Sequence, residues 1–277
     1  MKYRWKDELI KVFIGVSVFT ILSISLLIIG YIIFNGWRAL SLDFIIGAPK
    51  GIPLGSEGGI LPAIMGSLAL GGISMLLASL LGLATALYLF FYCKSKRLNS
   101  LIRLIVQSIA GIPSIILGLF GYAFFVVVMG LGHSLLAGSL TLSIMIFPVV
   151  AINAEKALSE IEEEMLMASY ALGISKAHTF FKVVWIIKKR DFLSGILLGT
   201  VYAMGATAPI MLTAAVFSAS APTRLSQPVM ALPYHLYMMA SERISVVNAY
   251  GTALVLLVII FSGYFTVFYV FREKVVD

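Results

Sequence analysis

The sequence predicts an all-α integral membrane protein with six transmembrane helices and both termini in the cytoplasm. Three observations support this prediction. Hydrophobic residues make up 60% of the 277-residue chain and charged residues only 12%, whereas an ordinary soluble domain carries about 25% charged residues. Six charge-free stretches are long enough to cross a bilayer. Finally, the basic residues between those stretches are distributed unevenly.

The predicted spans are charge-free apolar stretches of about 18 residues or more. They run approximately over Val12 to Phe34, Leu61 to Tyr92, Leu104 to Leu131, Leu135 to Ile152, Phe192 to Phe217 and Val246 to Phe271. The first exceeds the roughly 7 to 15 apolar residues of a signal peptide, so we expect it to remain as an anchor.

Basic residues orient the spans, because Lys and Arg near span ends resist translocation. With the N-terminus inside, sixteen of the 20 Lys and Arg residues fall in cytoplasmic segments. The four in outer segments are Arg38, Lys50, Arg224 and Arg243. The inverted arrangement would reverse this ratio. The net charge of +7 therefore indicates topology, and we expect no nucleic-acid partner.

The predicted spans contain no Asp, Glu, Lys or Arg. A proton-coupled carrier usually needs such a residue as a relay, so a self-sufficient secondary transporter is disfavoured. The chain also lacks a G-x-x-x-x-G-K-[ST] phosphate loop, so any ATP-driven work needs a partner. One cysteine, Cys93, and three scattered histidines give no disulfide framework or metal-ligand spacing, and we expect no metal or cofactor in this chain.

The longest cytoplasmic segment, residues 153–191, is predicted to form a helix, a turn and a second helix. Ser159 followed by Glu162 fits a capping box at the start of the first helix. Gly173 is placed to end that helix in a left-handed conformation, and Ser175 can cap the second. Such an amphipathic pair can lie on lipid headgroups or dock on a partner protein, and the pattern alone leaves both open.

Within this segment, one stretch resembles the EAA signature of binding-protein-dependent ABC importer permeases. In that family E-A-A, three residues and G form a coupling helix that sits in a cleft of the ATPase. Met167 replaces the usual Glu, and Ser169 replaces the second Ala. The resemblance implies ATPase-coupling roles for Met167, Ala168, Ser169, Ala171, Leu172 and Gly173.

A resemblance over nearly the whole chain points to one subfamily, the PstA-type permeases of phosphate ABC importers. It is carried by five segments in order, namely Gly58-Gly59-Ile60-Leu61-Pro62, Ala110 to Gly121, Tyr170-Ala171-Leu172-Gly173, Thr207-Ala208-Pro209, and Gln227-Pro228-Val229 with Leu232-Pro233. The resemblance implies a type I ABC importer permease fold in the cytoplasmic (inner) membrane, with residues 1–277 as one permease domain and residues 153–191 as its coupling loop.

The same resemblance implies partners and a mechanism. The chain would pair with a second, PstC-like permease, a PstB-like ATPase dimer that binds ATP and Mg, and an external PstS-like phosphate-binding protein. It would not be an enzyme by itself, and it would move phosphate by alternating access.

Several residues are compatible with an anion path through the membrane. Pro113, Pro148 and Pro209 are each expected to interrupt a span, and small or hydroxyl residues lie near them. The candidate pathway residues are Pro113, Ser114, Tyr202, Gly205, Thr207, Pro209 and Thr213. For each of these residues taken singly, ordinary helix packing is the favoured alternative, as expected for Gly195 and Gly199 at GxxxG spacing.

One departure from the subfamily concerns the cargo. In PstA-type permeases the segment that ends in Thr-Ala-Pro usually has the sequence R-x-x-G-E-T-A-P. This chain has Tyr202 and Ala206 at the Arg and Glu positions. An arginine is a strong phosphate ligand. Its absence leaves three readings open: neutral donors bind phosphate, the partner permease supplies the charge, or the cargo is another oxyanion.

Three other classes remain as alternatives. A stand-alone channel or carrier would transport without ATP. A membrane-embedded enzyme would need a nucleophile with a base, paired carboxylates or metal ligands, and no predicted span offers them. A non-transporting receptor or assembly factor would use the cytoplasmic loop to bind another protein.

Overall fold

The computed structural model describes residues 2–270, which are mostly helical. In chain order the helices are α1 (Lys2–Gly36), α2 (Leu42–Ile46), α3 (Leu61–Leu87), α4 (Lys96–Ala110), α5 (Ser114–Gly121), α6 (Leu135–Ser159), α7 (Glu163–Ala171), α8 (Lys176–Thr179), α9 (Trp185–Met204), α10 (Ala208–Thr213), α11 (Leu232–Ser241) and α12 (Val246–Val270). Helical turns of wider, π-type pitch extend α3 over Tyr88–Tyr92, extend α5 over Tyr122–Val128, and join α8 to α9 over Phe180–Val184. Two short antiparallel strands, β1 (Pro49–Lys50) and β2 (Glu57–Gly58), pair before α3.

Four described helices are long and apolar enough to cross a membrane. They are Glu8–Ala39, Leu61–Tyr92, Leu135–Ser159 and Val246–Tyr269. These correspond to the first, second, fourth and sixth predicted spans. Residue 271, the predicted end of the sixth, lies outside the described residues. A fifth candidate is the bent pair Lys96–Ala110 with Ser114–Val128. The total of six crossings stays a prediction.

The third predicted span, residues 104–131, is not one helix. The chain bends by 97° between α4 and α5. The bend lies at Gly111–Pro113, and Pro113 has an extended backbone with ψ 137°. A proline has no N–H to donate, and it pushes the preceding residue out of helical geometry. Only α5 and its extension therefore continue the predicted span, while residues 104–110 belong to a helix that runs across it.

The fifth predicted span, residues 192–217, is also divided. Helix α9 ends at Met204 and α10 begins at Ala208, because Pro209 in the first turn of α10 cannot donate a backbone hydrogen bond to the preceding turn. After Thr213 the chain leaves helical geometry, and Ala215 forms a β-bridge with Val229. The predicted helical stretch therefore ends four residues early.

The central core is formed by α3, α6 and α9. Its glycines permit close helix approach: a methyl group at Gly82 would lie 2.8 Å from Val150 Cγ1, and one at Gly199 would lie 2.8 Å from Ile146 Cγ2. This supports the packing interpretation of Gly199. Pro148 was expected to interrupt a span, but it lies inside the continuous helix α6, so that expectation was wrong.

The last long loop packs onto the N-terminal ends of the core helices. The Leu135 N–H donates to the Gln227 carbonyl oxygen at 2.8 Å, and the Leu232 N–H donates to Ser67 Oγ at 2.8 Å. Both acceptor–donor pairs join residues far apart in the chain. The Gln-Pro-Val and Leu-Pro segments thus hold the loop against the ends of α6 and α3.

Candidate coupling and transport sites

The first candidate site is the surface of α7. Of the six residues predicted to couple to an ATPase, five are exposed, including Met167 at 57% and Leu172 at 78%. Ser169 is the exception. It is buried, and its hydroxyl donates to the Met165 carbonyl oxygen at 3.1 Å. The structure therefore places Met167, Ala168, Ala171, Leu172 and Gly173 at a free surface, and Ser169 in the packing beneath it.

The end of α7 is a Schellman turn, in which a left-handed residue closes two backbone hydrogen bonds. Gly173 has φ +72°. Its N–H donates to the Tyr170 carbonyl oxygen at 2.9 Å, and the Ile174 N–H donates to that of Ser169 at 3.2 Å. Ser175 then caps α8 by accepting the His178 N–H at 3.3 Å. The sequence predicted both the left-handed glycine and this cap, and both are confirmed.

The predicted start of this segment was wrong. Ser159 is the last residue of α6, and its hydroxyl donates back to the Lys156 carbonyl oxygen at 2.7 Å instead of capping a new helix. The N-cap of α7 is Glu162, whose side chain makes no capping hydrogen bond. The reason is that α6 extends beyond its predicted end at Ile152 and incorporates Ser159.

A lysine joins the turn after α7 to the end of the second span. The Lys176 ammonium group donates to the Phe91 carbonyl oxygen and lies 5.3 Å from the centroid of the Tyr92 ring. The last carbonyls of a helix lack internal partners and favour a cation. This contact connects two segments that are 85 residues apart in the chain, and sequence spacing gave no signal for it.

A groove lies between α7 and the end of the second span. Its volume is about 440 Å³. It is lined by Phe90, Phe91, Ile161, Glu163, Leu166, Met167, Tyr170 and Lys176. Partial burial raises the pKa of the Tyr170 hydroxyl, with a smaller contribution from the neighbouring Tyr92. The phenol therefore stays neutral at physiological pH and can donate a hydrogen bond.

An ionic cluster fixes the first residues of α9 to the end of α6. Lys188 Nζ lies 2.9 Å from a Glu160 carboxylate oxygen and 3.2 Å from one of Asp191. The hydrogen bond and charge of Lys188 hold the pKa of the Glu160 carboxyl below its usual range. Lys188 and Asp191 are three residues apart on one helix and could be paired by inspection, whereas Glu160 could not.

The second candidate site is formed by the two helix breaks, which we call the paired breaks: residues 111–113 and residues 205–207. Each precedes one of two short helices, α5 and α10, that pack together. A methyl group at Gly118 would lie 2.9 Å from Pro209 Cα and 3.2 Å from the Ala208 carbonyl oxygen. The contact is therefore backbone against backbone, and it brings both proline-induced breaks into one region of the bundle.

The predicted pathway residues divide into exposed and packed positions. Pro113, Gly205 and Tyr202 are exposed, with Tyr202 at 55%, whereas Ser114 and Thr207 are half-buried. More than half of the Tyr202 side chain is exposed, and its hydroxyl has no hydrogen bond to any described residue. Its hydroxyl is thus free to meet a partner helix or a transported molecule.

Pro209 and Thr213 are packed inside α10. The Thr213 hydroxyl is fully buried and donates to the Pro209 carbonyl oxygen at 2.6 Å. This hydrogen bond satisfies the hydroxyl proton within the helix. For Thr213 the arrangement favours the packing alternative that the sequence left open.

The fold and the two candidate sites define a class: a multi-pass membrane permease with a structured helical loop after α6 and broken helices within the bundle. The family model for binding-protein-dependent transport system inner membrane components matches residues 78–274. The chain therefore belongs to the binding-protein-dependent transport system inner membrane component family, and it is a permease subunit of an ABC importer. Such subunits are typically not catalytic.

Curated relatives narrow the similarity. The chain is 32% identical over 223 residues to a probable phosphate transport system permease protein PstA of Methanocaldococcus jannaschii, covering 79% of this chain and 78% of that protein. It is 27% identical over 275 residues to PstA of Haemophilus influenzae, covering 96% and 95%. The resemblance to PstA-type permeases is thereby confirmed.

A solved structure supports the fold. An inward-facing structure of the MetNI methionine ABC transporter matches with a TM-score of 0.62, covering 77% of this chain and 94% of that one. Sequence identity is 19%, so this likeness concerns the fold alone. The type I importer permease fold expected from the sequence is confirmed.

Proposed function

We propose that this chain is one of two permease subunits of an importer that carries inorganic phosphate into the cell. The observation that carries the proposal is the similarity to PstA of M. jannaschii over 79% of the chain. In this proposal a PstC-like permease completes the membrane path, a PstB-like ATPase dimer binds ATP and Mg, and a PstS-like protein delivers phosphate from outside.

The proposed cycle uses the two candidate sites in turn. ATP closes the ATPase dimer, which moves the exposed surface of α7. The Lys176 contact and the core around α6 pass that movement to the spans, and α5 and α10 shift at the paired breaks to open the path outward. Hydrolysis restores the inward-facing state. The chain itself supplies no ATPase site.

Both termini lie in the cytoplasm in this proposal. Six crossings, by α1, α3, α5, α6, α9 with α10, and α12, return the chain to its starting side. Reporter fusions after Lys11, Lys96 and Lys189 should report cytoplasm, and fusions near Lys50 and Arg224 should report the outside. A fusion at Lys274, which lies outside the described residues, should also report cytoplasm. An outside signal at Lys96 would contradict the arrangement.

The contact between Lys176 and the end of the second span gives a further prediction. Lys176→Met keeps the apolar stem and removes the ammonium group from the Phe91 carbonyl oxygen. Loss of this charge-assisted hydrogen bond should cost about 1 kcal/mol, the low end for a half-exposed charged group. ATP hydrolysis stimulated by the loaded binding protein should fall about fivefold, since 1 kcal/mol corresponds to that factor. The amount of assembled complex should not change.

Lys182→Met is the matched control, because Lys182 is an exposed lysine of the same loop. Its stimulated ATP hydrolysis should stay at the wild-type level. Equal ATP hydrolysis in Lys176→Met and wild-type complexes would show that this contact does not transmit coupling.

The phosphate path on this side is lined by neutral donors. Residues 192–217 contain no Lys or Arg, and Tyr202 offers a free hydroxyl at the exposed face of α9. Neutral donors bind an anion less tightly than a guanidinium group does. A transient site benefits from weak binding, and any fixed positive charge would come from the partner permease.

Tyr202→Phe tests this role, because it removes one hydroxyl and keeps the ring. Loss of a neutral hydrogen bond is worth about 1 kcal/mol, so labelled phosphate uptake should slow about fivefold with an unchanged amount of complex. Tyr237→Phe, an exposed tyrosine on α11, is the control. Unchanged uptake in Tyr202→Phe would assign this side chain to packing.

A second candidate function is import of a different oxyanion. The observation that favours it is the presence of Tyr202 and Ala206 where the subfamily has Arg and Glu. Competition by unlabelled sulfate, molybdate and arsenate against labelled phosphate separates the two. The phosphate proposal predicts that excess unlabelled phosphate displaces the label most effectively.

A further inference from the structure

Helix α4 differs from the spanning helices in direction and in composition. It is bent by 97° from α5. If α5 crosses the bilayer, α4 lies close to the plane of the membrane surface. From Cys93 to Ala110 the chain has no Asp or Glu, and its charged residues are Lys94, Lys96, Arg97 and Arg103.

The faces of α4 have distinct environments. Val106 is buried at 5% exposure, and Ile102 and Ile109 are half-buried, on the side packed against α6. Beside them lies an apolar stripe that this chain leaves uncovered. It consists of Leu98 (40%), Leu101 (52%), Leu104 (59%) and Ile105 (51%). At 100° per residue these four positions fall within one sector of about 120°. The opposite arc, with Lys96, Ser100, Arg103 and Gln107, is polar.

An exposed apolar stripe beside a basic polar arc is the pattern of a helix that lies in the membrane interface. The basic residues also form a shallow pocket at the start of α4. It is lined by Cys93, Lys94, Lys96, Asn99, Ser100 and Arg103. Arg103 is paired with Glu155 of α6, whereas Lys94, Lys96 and Arg97 are exposed and have no ion pair with any described residue.

The position of these cations disfavours a role in helix stability. Ser95 caps α4 by accepting the Leu98 N–H at 3.4 Å, so Lys96 and Arg97 occupy the first turn. The N-terminus of a helix carries partial positive charge and favours anions. Cations there, with no acidic partner among the described residues, favour an anion supplied from outside the chain.

We propose that α4 is an interfacial helix whose basic end binds the headgroups of anionic phospholipids. The apolar stripe enters the acyl boundary of the leaflet, and Lys94, Lys96 and Arg97 contact lipid phosphates. The lipid thereby holds α4 in the membrane plane and fixes the direction from which the chain enters the break at Pro113. This role is separate from the cargo and from the coupling surface of α7.

Cys93 permits a direct test, because it is the chain's only cysteine and lines the basic pocket. A fluorophore is attached to it in the assembled complex, with other subunits free of cysteine. The complex is placed in phosphatidylcholine vesicles with a small fraction of nitroxide-labelled phosphatidylglycerol or, separately, nitroxide-labelled phosphatidylcholine. Quenching should report on the order of fivefold or greater enrichment of phosphatidylglycerol, since one basic residue near an anionic surface contributes about that factor.

The triple variant Lys94→Gln, Lys96→Gln, Arg97→Gln should reduce phosphatidylglycerol quenching to the phosphatidylcholine level. The control variant, Lys182→Gln, Lys189→Gln, Arg190→Gln, removes the same charge from exposed positions elsewhere in the cytoplasmic loop and should retain the preference. Helix α4 should survive the test substitutions, because they remove cations from its disfavoured end.

Three results would overturn the proposal. Equal quenching by both lipids in the wild-type complex would mean that the basic end only directs membrane insertion. Absence of quenching by either lipid would mean that a protein partner covers the stripe. Loss of the preference on adding inorganic phosphate, but not chloride at equal ionic strength, would identify a site for the free anion.

Discussion

Replacing Gly118 with leucine should reduce transport by a factor of roughly 5 to 150. A Cβ at this position would lie 2.9 Å from Pro209 Cα and 3.1 Å from Leu212 Cδ1. The nearer atom belongs to the backbone, so no side-chain rotation relieves the contact, and α5 must separate from α10. Overpacking of this kind costs about 1 to 3 kcal/mol, and the displacement falls on the helices that follow the paired breaks.

The measurement is labelled phosphate uptake by cells, normalised to the amount of complex in the membrane. Gly72→Leu is the matched control, because a Cβ at Gly72 on α3 would meet nothing within 4 Å. It should transport like wild type. Normal uptake in Gly118→Leu would remove the contact between α5 and α10 from the transport mechanism.

Replacing Gly173 with leucine should uncouple ATP hydrolysis from substrate while leaving the complex assembled. Gly173 has φ +72°, and a Cβ there would meet nothing within 4 Å. The penalty therefore comes from the left-handed backbone alone, about 1 to 2 kcal/mol for an L-residue. That is a factor of roughly 5 to 30 in the population of the native turn, so substrate-stimulated ATP hydrolysis should fall by a similar factor.

Two variants separate this backbone effect from other causes. Asparagine tolerates the left-handed region better than most residues, so Gly173→Asn should retain more stimulated hydrolysis than Gly173→Leu. Gly130→Leu imposes the same strain at φ +67° in open space, in the turn after α5, and should leave stimulated hydrolysis unchanged. Full coupling in Gly173→Leu would contradict the assignment of this turn as the ATPase contact.

Sequence patterns predicted the long helices because each is a sustained apolar run whose length matches the bilayer. They also predicted interruptions at Pro113 and Pro209, where the chain does divide, but the interruption predicted at Pro148 is absent, because α6 continues through it. Whether a proline ends a helix or is accommodated within it depends on how its surroundings satisfy the freed carbonyl groups. That condition is set by tertiary contacts, which hydropathy does not record.

At the candidate sites, features set by neighbouring residues could be predicted, whereas contacts between distant segments could not. The turn at Gly173 was predictable, because a glycine after an amphipathic stretch is a local signal. The contacts of Lys176 with Phe91 and of Lys188 with Glu160 join distant segments and could not be inferred. His235 is buried, and its Nδ1 lies 3.1 Å from Thr252 Oγ1. The sequence predicted an outer loop here, because α11 is too short to be recognised as a span.

We infer that this chain is a phosphate permease subunit. The most direct test of this function is to reconstitute the chain with its partner permease, ATPase and binding protein in proteoliposomes. Labelled phosphate is supplied on the side of the membrane that carries the binding protein. We predict phosphate accumulation that requires ATP and is lost when this chain is omitted. ATP-dependent accumulation of another oxyanion without phosphate, or phosphate movement by this chain alone without ATP, would contradict the account.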